Sequence, residues 1–280
     1  MDGTDHVWFI TGASSGLGKA LARSVADGGG KVVATARRLE AMRDIEQRYP
    51  EQVLALAVDV TRANELRTAV DEAARRFGRI DVLVNNAGFG LFGSLEELSE
   101  DALRQEFETN VFGALHAIRA VLPHFRAQKS GHVVQISSLE GVAPALAAES
   151  AYAGSKFAVE GICEGLAKDV ADLGIRVTIV EPGPVRTEFG DAAHVQPPQL
   201  ADYHSSVGQA LEAFAQLAGN QPNDPRRVAD AIVDAVGSVD APLRLVLGQE
   251  AVDAVRGKLT ERALELDKWE HLARSTGLAA

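Results

Sequence analysis

Tyr152 and Lys156 stand four residues apart in Tyr-Ala-Gly-Ser-Lys, a spacing that puts both side chains on one face of a helix. A phenol is a weak base, with an ordinary pKa of about 10. A neighbouring ammonium favours the phenolate and lowers that value, so the pair is suited to exchanging a proton near neutral pH.

A second feature is Thr11-Gly12-Ala13-Ser14-Ser15-Gly16-Leu17-Gly18, which follows an apolar run at 6–10 and opens a helical pattern at 16–26. Glycines there allow a tight turn and a close approach of backbone N–H groups to a pyrophosphate, and the helix N-terminus adds favourable dipole charge. The end of the second apolar run decides which dinucleotide fits. An acidic residue there would bond the ribose hydroxyls of NAD, but this chain carries Ala36-Arg37-Arg38. Guanidinium groups make bidentate, charge-assisted bonds to phosphate, so NADP(H) is expected, with Arg37 as the principal clamp and Arg38 beside it.

The elements that must position these groups follow from the hydrophobic pattern. Strands are expected at 6–10, 31–36, 53–58, 81–85, 132–136, 176–180 and 243–247, and helices at 16–26, 39–48, 62–77, 99–127 and 151–173. The strands are near-continuous apolar runs, as in Val53-Leu54-Ala55-Leu56-Ala57-Val58, which marks a parallel sheet covered on both faces. Strand–helix alternation gives an α/β fold: a doubly wound Rossmann fold, with a mostly parallel seven-stranded sheet and helices on both faces. No linker divides the chain, so 1–280 is expected to be a single Rossmann-type domain. A proline-punctuated stretch at about 188–220 reads as a substrate-side lid, Asp224-Pro225 as the start of a further helix, and about 251–275 as a helical tail.

The motifs together resemble the short-chain dehydrogenase/reductase family. The glycine turn, Asn85-Asn86-Ala87-Gly88, Ser137-Ser138, Tyr152 with Lys156, and Pro182-Gly183 occur in the family's order across residues 6–187. The resemblance implies an oxidoreductase that interconverts a carbonyl and an alcohol by hydride transfer. It implies Tyr152 as general acid or base, Lys156 on the nicotinamide ribose, and Ser138 on the substrate oxygen. Asn110 would hold a water in a proton relay. Asp59 and Val60 match positions near the adenine, and Asn86, with Ala87 and Gly88, a position near the adenosine ribose. Val185 and Thr187, following Pro182 and Gly183, match contacts to the carboxamide. Ser138 is chosen over Ser137 because it precedes the turn Leu139-Glu140-Gly141. The interval to Tyr152 is about one residue longer than the commonest family spacing, so the loop 142–150 departs from the pattern.

Ligands in such a fold sit beyond the carboxyl ends of the strands. Phe89, Leu91, Phe92, Ala143, Leu146 and Phe189 are the expected pocket lining, which favours a small hydrophobic ketone or alcohol. Glu140 and Glu149 flank the site and read as solvated loop acids; His194 and His204, in the lid, read as exposed. A net charge of -11 disfavours nucleic acid and anionic membrane as partners. The single cysteine, Cys163, lies in an apolar helical stretch and reads as a packed thiol. The histidines lack metal-ligand spacing, so no metal is expected. Met1–Asp5 has no basic or apolar run and does not read as a signal peptide. A cytoplasmic enzyme is the expectation, assembled as a homodimer or homotetramer as family members usually are. The competing readings are an NADP(H)-binding redox sensor without turnover and a non-redox lyase or epimerase on the same fold.

Overall fold

A computed structural model describes residues 6–278; Met1–Asp5 lies outside the described residues. Seven strands form one sheet: β1 (Val7–Thr11), β2 (Lys31–Ala36), β3 (Val53–Ala57), β4 (Val82–Asn85), β6 (Gly131–Ile136), β7 (Ile175–Pro182) and β9 (Arg244–Leu247). Their order is β3-β2-β1-β4-β6-β7-β9, and every pair is parallel. This is the doubly wound Rossmann arrangement, with its reversal of strand order between β1 and β4.

Alternation along each strand explains the continuous apolar runs. On β1, Trp8 and Ile10 belong to one core cluster and Val7 and Phe9 to another on the opposite face. The first cluster is closed by α1 (Gly16–Asp27) and α9 (Pro225–Gly237), through Leu21, Ala22 and Val25 packed with Val228, Ala229, Ile232 and Val236. Ser24 also donates to Asp230, and Arg226 pairs with Asp27 at 2.7 Å. The α9 helix starts as expected: Asp224 accepts from the backbone of Arg226 and Arg227 at 2.8 and 3.0 Å, with Pro225 in its first turn. The second cluster lies under α3 (Ala63–Phe77), α5 (Gly113–Gln128) and α6 (Ser150–Asp169).

Three departures from the sequence reading matter for the site. The single helix expected at 99–127 is α4 (Glu100–Phe107), a wide turn with π-type hydrogen bonding (Glu108–Phe112), and then α5. Such a turn inserts one extra residue into the helical ladder, and here it carries Asn110. The helix expected at 39–48 is a tight 3-10 turn (Leu39–Met42) before α2 (Arg43–Arg48). The stretch 188–220 is not a bare loop: it contains α7 (Phe189–Ala192), β8 (His194–Val195) and α8 (Gln209–Leu217). β8 pairs in parallel with a two-residue strand, β5 (Leu91–Phe92), that no sequence period announces.

The segment is tied down beyond that pair. Glu97 accepts from the backbone of Gln199 and Leu200 at 2.6 and 2.9 Å, and Tyr203 donates to Glu96 at 2.7 Å. The chain ends in α10 (Gln249–Arg274), of which only Ala251 and Val255 are buried. Among the described residues no helix is long and apolar enough to cross a membrane.

Candidate active site

The glycine turn leaves β1 at the switch point. Gly12 has φ +67°, and a Cβ there would lie 2.8 Å from Ala87 Cα; one at Gly18 would lie 2.4 Å from the Gly12 carbonyl oxygen. Glycine is therefore required sterically at both positions. Asn86 braces the turn by donating through Nδ2 to the Thr11 and Gly12 carbonyls at 3.0 Å each. Thr11 Oγ1 accepts from the backbone of Asn86 and Ala87 at 3.0 and 3.1 Å. The Asn86 side chain, expected near the adenosine ribose, is thus spent on the backbone of the turn. Thr11 carries the other half of the brace, a role its type alone did not announce.

Ser15 is exposed as the N-cap of α1 and makes no side-chain cap, while Ser14 and Leu17 are partly buried. The N–H of Gly16 points at an anion: it donates to the Glu188 carboxylate at 3.3 Å. Thr187 lies against the same glycine. Val185 bridges to Asn223, and Pro182–Gly183 closes β7 beneath Glu250 of α10. Gly88 faces Asn110 so closely that a Cβ would lie 2.9 Å from its Oδ1. Arg37 and Arg38 are exposed just past β2. Burial raises the Asp59 pKa, but the bonds from Thr61 and the charges of Arg37 and Arg62 outweigh it and hold the carboxyl below its usual range. Val60 is buried under Gly113.

The segments flanking β6, the fifth strand of the sheet, deliver the remaining groups. Ser138 follows β6 and donates to Glu140, and its hydroxyl favours the Tyr152 phenolate. Ser137 points elsewhere, lying beneath Gly141 beside Glu160. Tyr152 and Lys156 share a face of α6, with Lys156 Nζ 5.5 Å from the tyrosine ring centroid and donating to the Ile136 carbonyl at 3.1 Å. Asn110 projects from the wide turn and clamps Phe89 on both backbone groups: Nδ2 donates to its carbonyl at 2.9 Å, and Oδ1 accepts its N–H at 3.0 Å. It also donates to Ser155 Oγ at 3.0 Å.

The electrostatics differ from the simple lysine–tyrosine argument. Tyr152 is buried, and burial together with the charges of Glu140, Glu106 and Glu149 raises its pKa well above 10, against the Ser138 hydroxyl. Burial lowers Lys156 to about 8, although Glu106, Glu140 and Glu160 oppose the shift. Glu140 is half-buried and accepts from Ser138, and Glu149 is not a solvated acid. Glu149 is 8% exposed, accepts from the Leu146 backbone at 3.1 Å, and burial plus Glu140 push it up to about 7.

Aromatic rings enclose Tyr152: Phe92 at 5.5 Å and Phe189 at 5.6 Å, with Phe214 of α8 behind Phe92 at 4.6 Å. Phe89 stacks on His194 at 5.0 Å. His194 and His204 are exposed, as expected. Two expected lining residues fall behind the wall instead. Leu91 packs with Leu98 and Ala151, and Ala143 packs with Leu139, Ala251 and Val255 under α10. Leu146 is half exposed on the loop. Within that loop Ala148 takes a left-handed conformation, at φ 72°. Cys163 is buried, and burial pushes its thiol up to about 12, as a packed residue should be.

The motif order, strand topology and convergence of side chains have a counterpart among known proteins. The family model described as short chain dehydrogenase matches residues 6–197. The chain belongs to that family. It is 42% identical to a short-chain dehydrogenase of Streptomyces avermitilis whose crystal structure covers 98% of this chain and 99% of its own, with a TM-score of 0.90. It is 38% identical to Oxidoreductase BOA17 of Botryotinia fuckeliana (strain B05.10), over 95% of this chain and 97% of that protein. A Burkholderia phymatum short-chain dehydrogenase/reductase in complex with NAD shares the fold at 24% identity and a TM-score of 0.84, over 95% of this chain and 96% of that one. This short-chain dehydrogenase is thus an oxidoreductase, and a metagenomic short-chain oxidoreductase solved in complex with NADP is 27% identical to it, with a TM-score of 0.68, over 88% of this chain and 97% of that one.

Proposed function

We propose that the protein is an NADP(H)-dependent oxidoreductase that interconverts a carbonyl and a secondary alcohol on a small, hydrophobic substrate, with Tyr152 as general acid and base. The observation that carries this reading is the enclosure of the Tyr152 ring between Phe92 and Phe189, with the Ser138 hydroxyl and the Lys156 ammonium on the same tyrosine.

The chain's own residues fit the dinucleotide. The Gly12–Gly18 turn has no room for a Cβ at either end, and its Gly16 N–H already takes a carboxylate, as a pyrophosphate oxygen would be taken. Arg37, exposed past β2, would receive the 2′-phosphate, with Arg38 alongside; Asp59 and Val60 would flank the adenine. Ala87 and Gly88 would line the ribose, Lys156 would hold the nicotinamide ribose, and Val185 and Thr187 would hold the carboxamide. When bound, the reduced cofactor supplies a hydride.

Ser138 Oγ would steady the developing charge on the substrate oxygen, and Tyr152 Oη would deliver the proton. A phenol held above its ordinary pKa is protonated at neutral pH, the form that can donate, and the Lys156 ammonium beside it would ease loss of that proton in the reducing direction. The apolar box excludes water and favours a hydrophobic substrate. A homodimer or homotetramer is proposed for the assembly.

The test is NADPH absorbance during incubation with a panel of ketones, aldehydes and quinones, run beside NADH and Tyr152→Phe. The expected result is turnover that prefers NADPH and falls at least about a hundredfold in the variant, the usual scale for loss of a general acid. A clear preference for NADH would refute the reading of Arg37, and full activity in the variant would refute that of Tyr152.

A further inference from the structure

Glu106 on α4 is fully buried, four residues before Asn110 and therefore on the same helical face. Both residues grip one segment. Asn110 holds both backbone groups of Phe89, and Glu106 Oε1 accepts the Leu91 N–H at 3.1 Å. The next residue is Phe92, whose ring lies against Tyr152.

The second carboxyl oxygen, Oε2, is buried without a hydrogen-bond partner. The positive charge that acts on it is Lys156, which spends one of its three N–H donors on the Ile136 carbonyl. A half-satisfied buried carboxylate and a half-satisfied buried ammonium are each costly alone; the two are not in direct contact, and their charges favour each other across the interior.

We infer that Glu106 is a positioning residue for the reaction proposed above: its buried carboxylate is the counter-charge to Lys156 beside Tyr152, and its bond to Leu91 keeps the Phe92 wall on that tyrosine. The inference rests on the reading of Tyr152 and Lys156 as the proton-handling pair.

The charged groups around this chain fix the sign. Glu106 meets the Leu91 N–H and Lys156; Lys156 meets Glu106, Glu140 and Glu160; Tyr152 meets Glu140, Glu106, Glu149 and the Ser138 hydroxyl. Burial lowers Lys156 to about 8 despite these carboxylates, and burial raises Glu106 to about 7 despite Leu91 and Lys156, so it is above about 7 that the carboxylate is charged and acts on the lysine. Removing the Glu106 charge takes away one group that holds the lysine proton, so Lys156 deprotonates at lower pH. Glu140 and Glu160 remain, so the shift is partial.

The decisive variant is Glu106→Gln. Its amide oxygen can still accept the Leu91 N–H, so the β5 anchor survives while the charge is lost. Two measurements are made on the full chain. One is the pH profile of NADPH-dependent reduction with the most active ketone. The other is the Lys156 pKa, followed by NMR of 13C-labelled lysine side chains and assigned with Lys156→Met, which needs no substrate. The expected result is an alkaline limb and a Lys156 pKa that both move down, giving a loss of rate that grows with pH while the KM for the ketone changes little. Glu106→Asp, which keeps the charge and shortens the reach to Leu91, is expected to keep the wild-type Lys156 pKa and to raise KM.

A Glu106→Gln protein whose Lys156 pKa matches the wild type, or moves up, overturns the inference. If Glu106→Gln fails to fold, a Lys156 pKa displaced in Glu106→Asp overturns it and a retained one supports it. Failure of the enzyme reading shows separately, as absence of turnover in the wild type, and a Lys156 pKa that still falls in Glu106→Gln then upholds the charge pairing.

Discussion

Tyr152 and Lys156 were legible because a spacing of four puts the pair on one helical face, whereas Ser138 and Asn110 were singled out only by the family resemblance. The surroundings of all four were not legible. A glutamate in a sequence says nothing about what will pack over it; burial of the phenol, with the charges of Glu140, Glu106 and Glu149 beside it, reverses the expected direction of the Tyr152 shift. Two predictions belong at this scale. Arg37→Ala is expected to weaken NADPH binding roughly tenfold to a hundredfold, the worth of a charged hydrogen bond of about 1.5–3 kcal/mol, while NADH binding stays nearly constant; calorimetry with both dinucleotides measures the difference. Glu188→Gln removes a carboxylate that competes for the Gly16 N–H, so it is expected to tighten binding of either dinucleotide several-fold. Weaker binding in that variant would show that Glu188 serves the site in some other way.

Strands and long helices were read well because continuous apolar runs and amphipathic periods survive in this sequence over five or more residues at a time. Two-residue β5 and β8 have no period to read, and they nevertheless fasten the segment over the site. The wide turn at Glu108–Phe112 keeps a helical pattern on both sides, so the sequence shows one helix where the backbone makes room for Asn110. The sheet itself carries a pH-dependent element. His132 on β6 is buried, with Nε2 2.9 Å from Thr178 Oγ1, and that hydroxyl donates to the Pro242 carbonyl. Nε2 must then be the protonated nitrogen, leaving Nδ1 buried without a partner. Burial, with Arg176 and His6, lowers the pKa from 6.5 to about 3. Between those values the unfolded chain binds the extra proton, so stability is expected to fall as pH drops from 6.5 toward 3. Thermal midpoints across that range should fall less steeply in His132→Asn, relative to its own value at pH 7. Glu106 and Glu149 act in the opposite sense, protonated in the fold up to about 7 but ionised in the unfolded chain above 4.5, so their contribution falls as pH rises between those values.

Over the whole molecule, the order of motifs along the chain was enough to give the topology, because a parallel sheet needs crossovers and the crossovers were visible. The fate of the tail was not. Beyond Val255, α10 carries Leu259, Leu266, Trp269 and Leu272, all more than half exposed. Truncation after Gly257 removes none of the buried residues of α10, so dinucleotide binding is expected to stay within about twofold. Light scattering on the same protein would show whether this apolar surface holds the proposed oligomer together: a fall in molar mass is expected.

The pairing of α1 with α9 has a consequence for how the protein is made. The first helix is made some two hundred residues before its partner, as Ser24 and Asp230 show. Until the ribosome has released the segment through Gly237, a nascent chain carries Leu21, Ala22 and Val25 without their cover. The N-terminal half, though it contains the whole glycine turn, therefore cannot close that face by itself, and translation must have passed Gly237 before it can close.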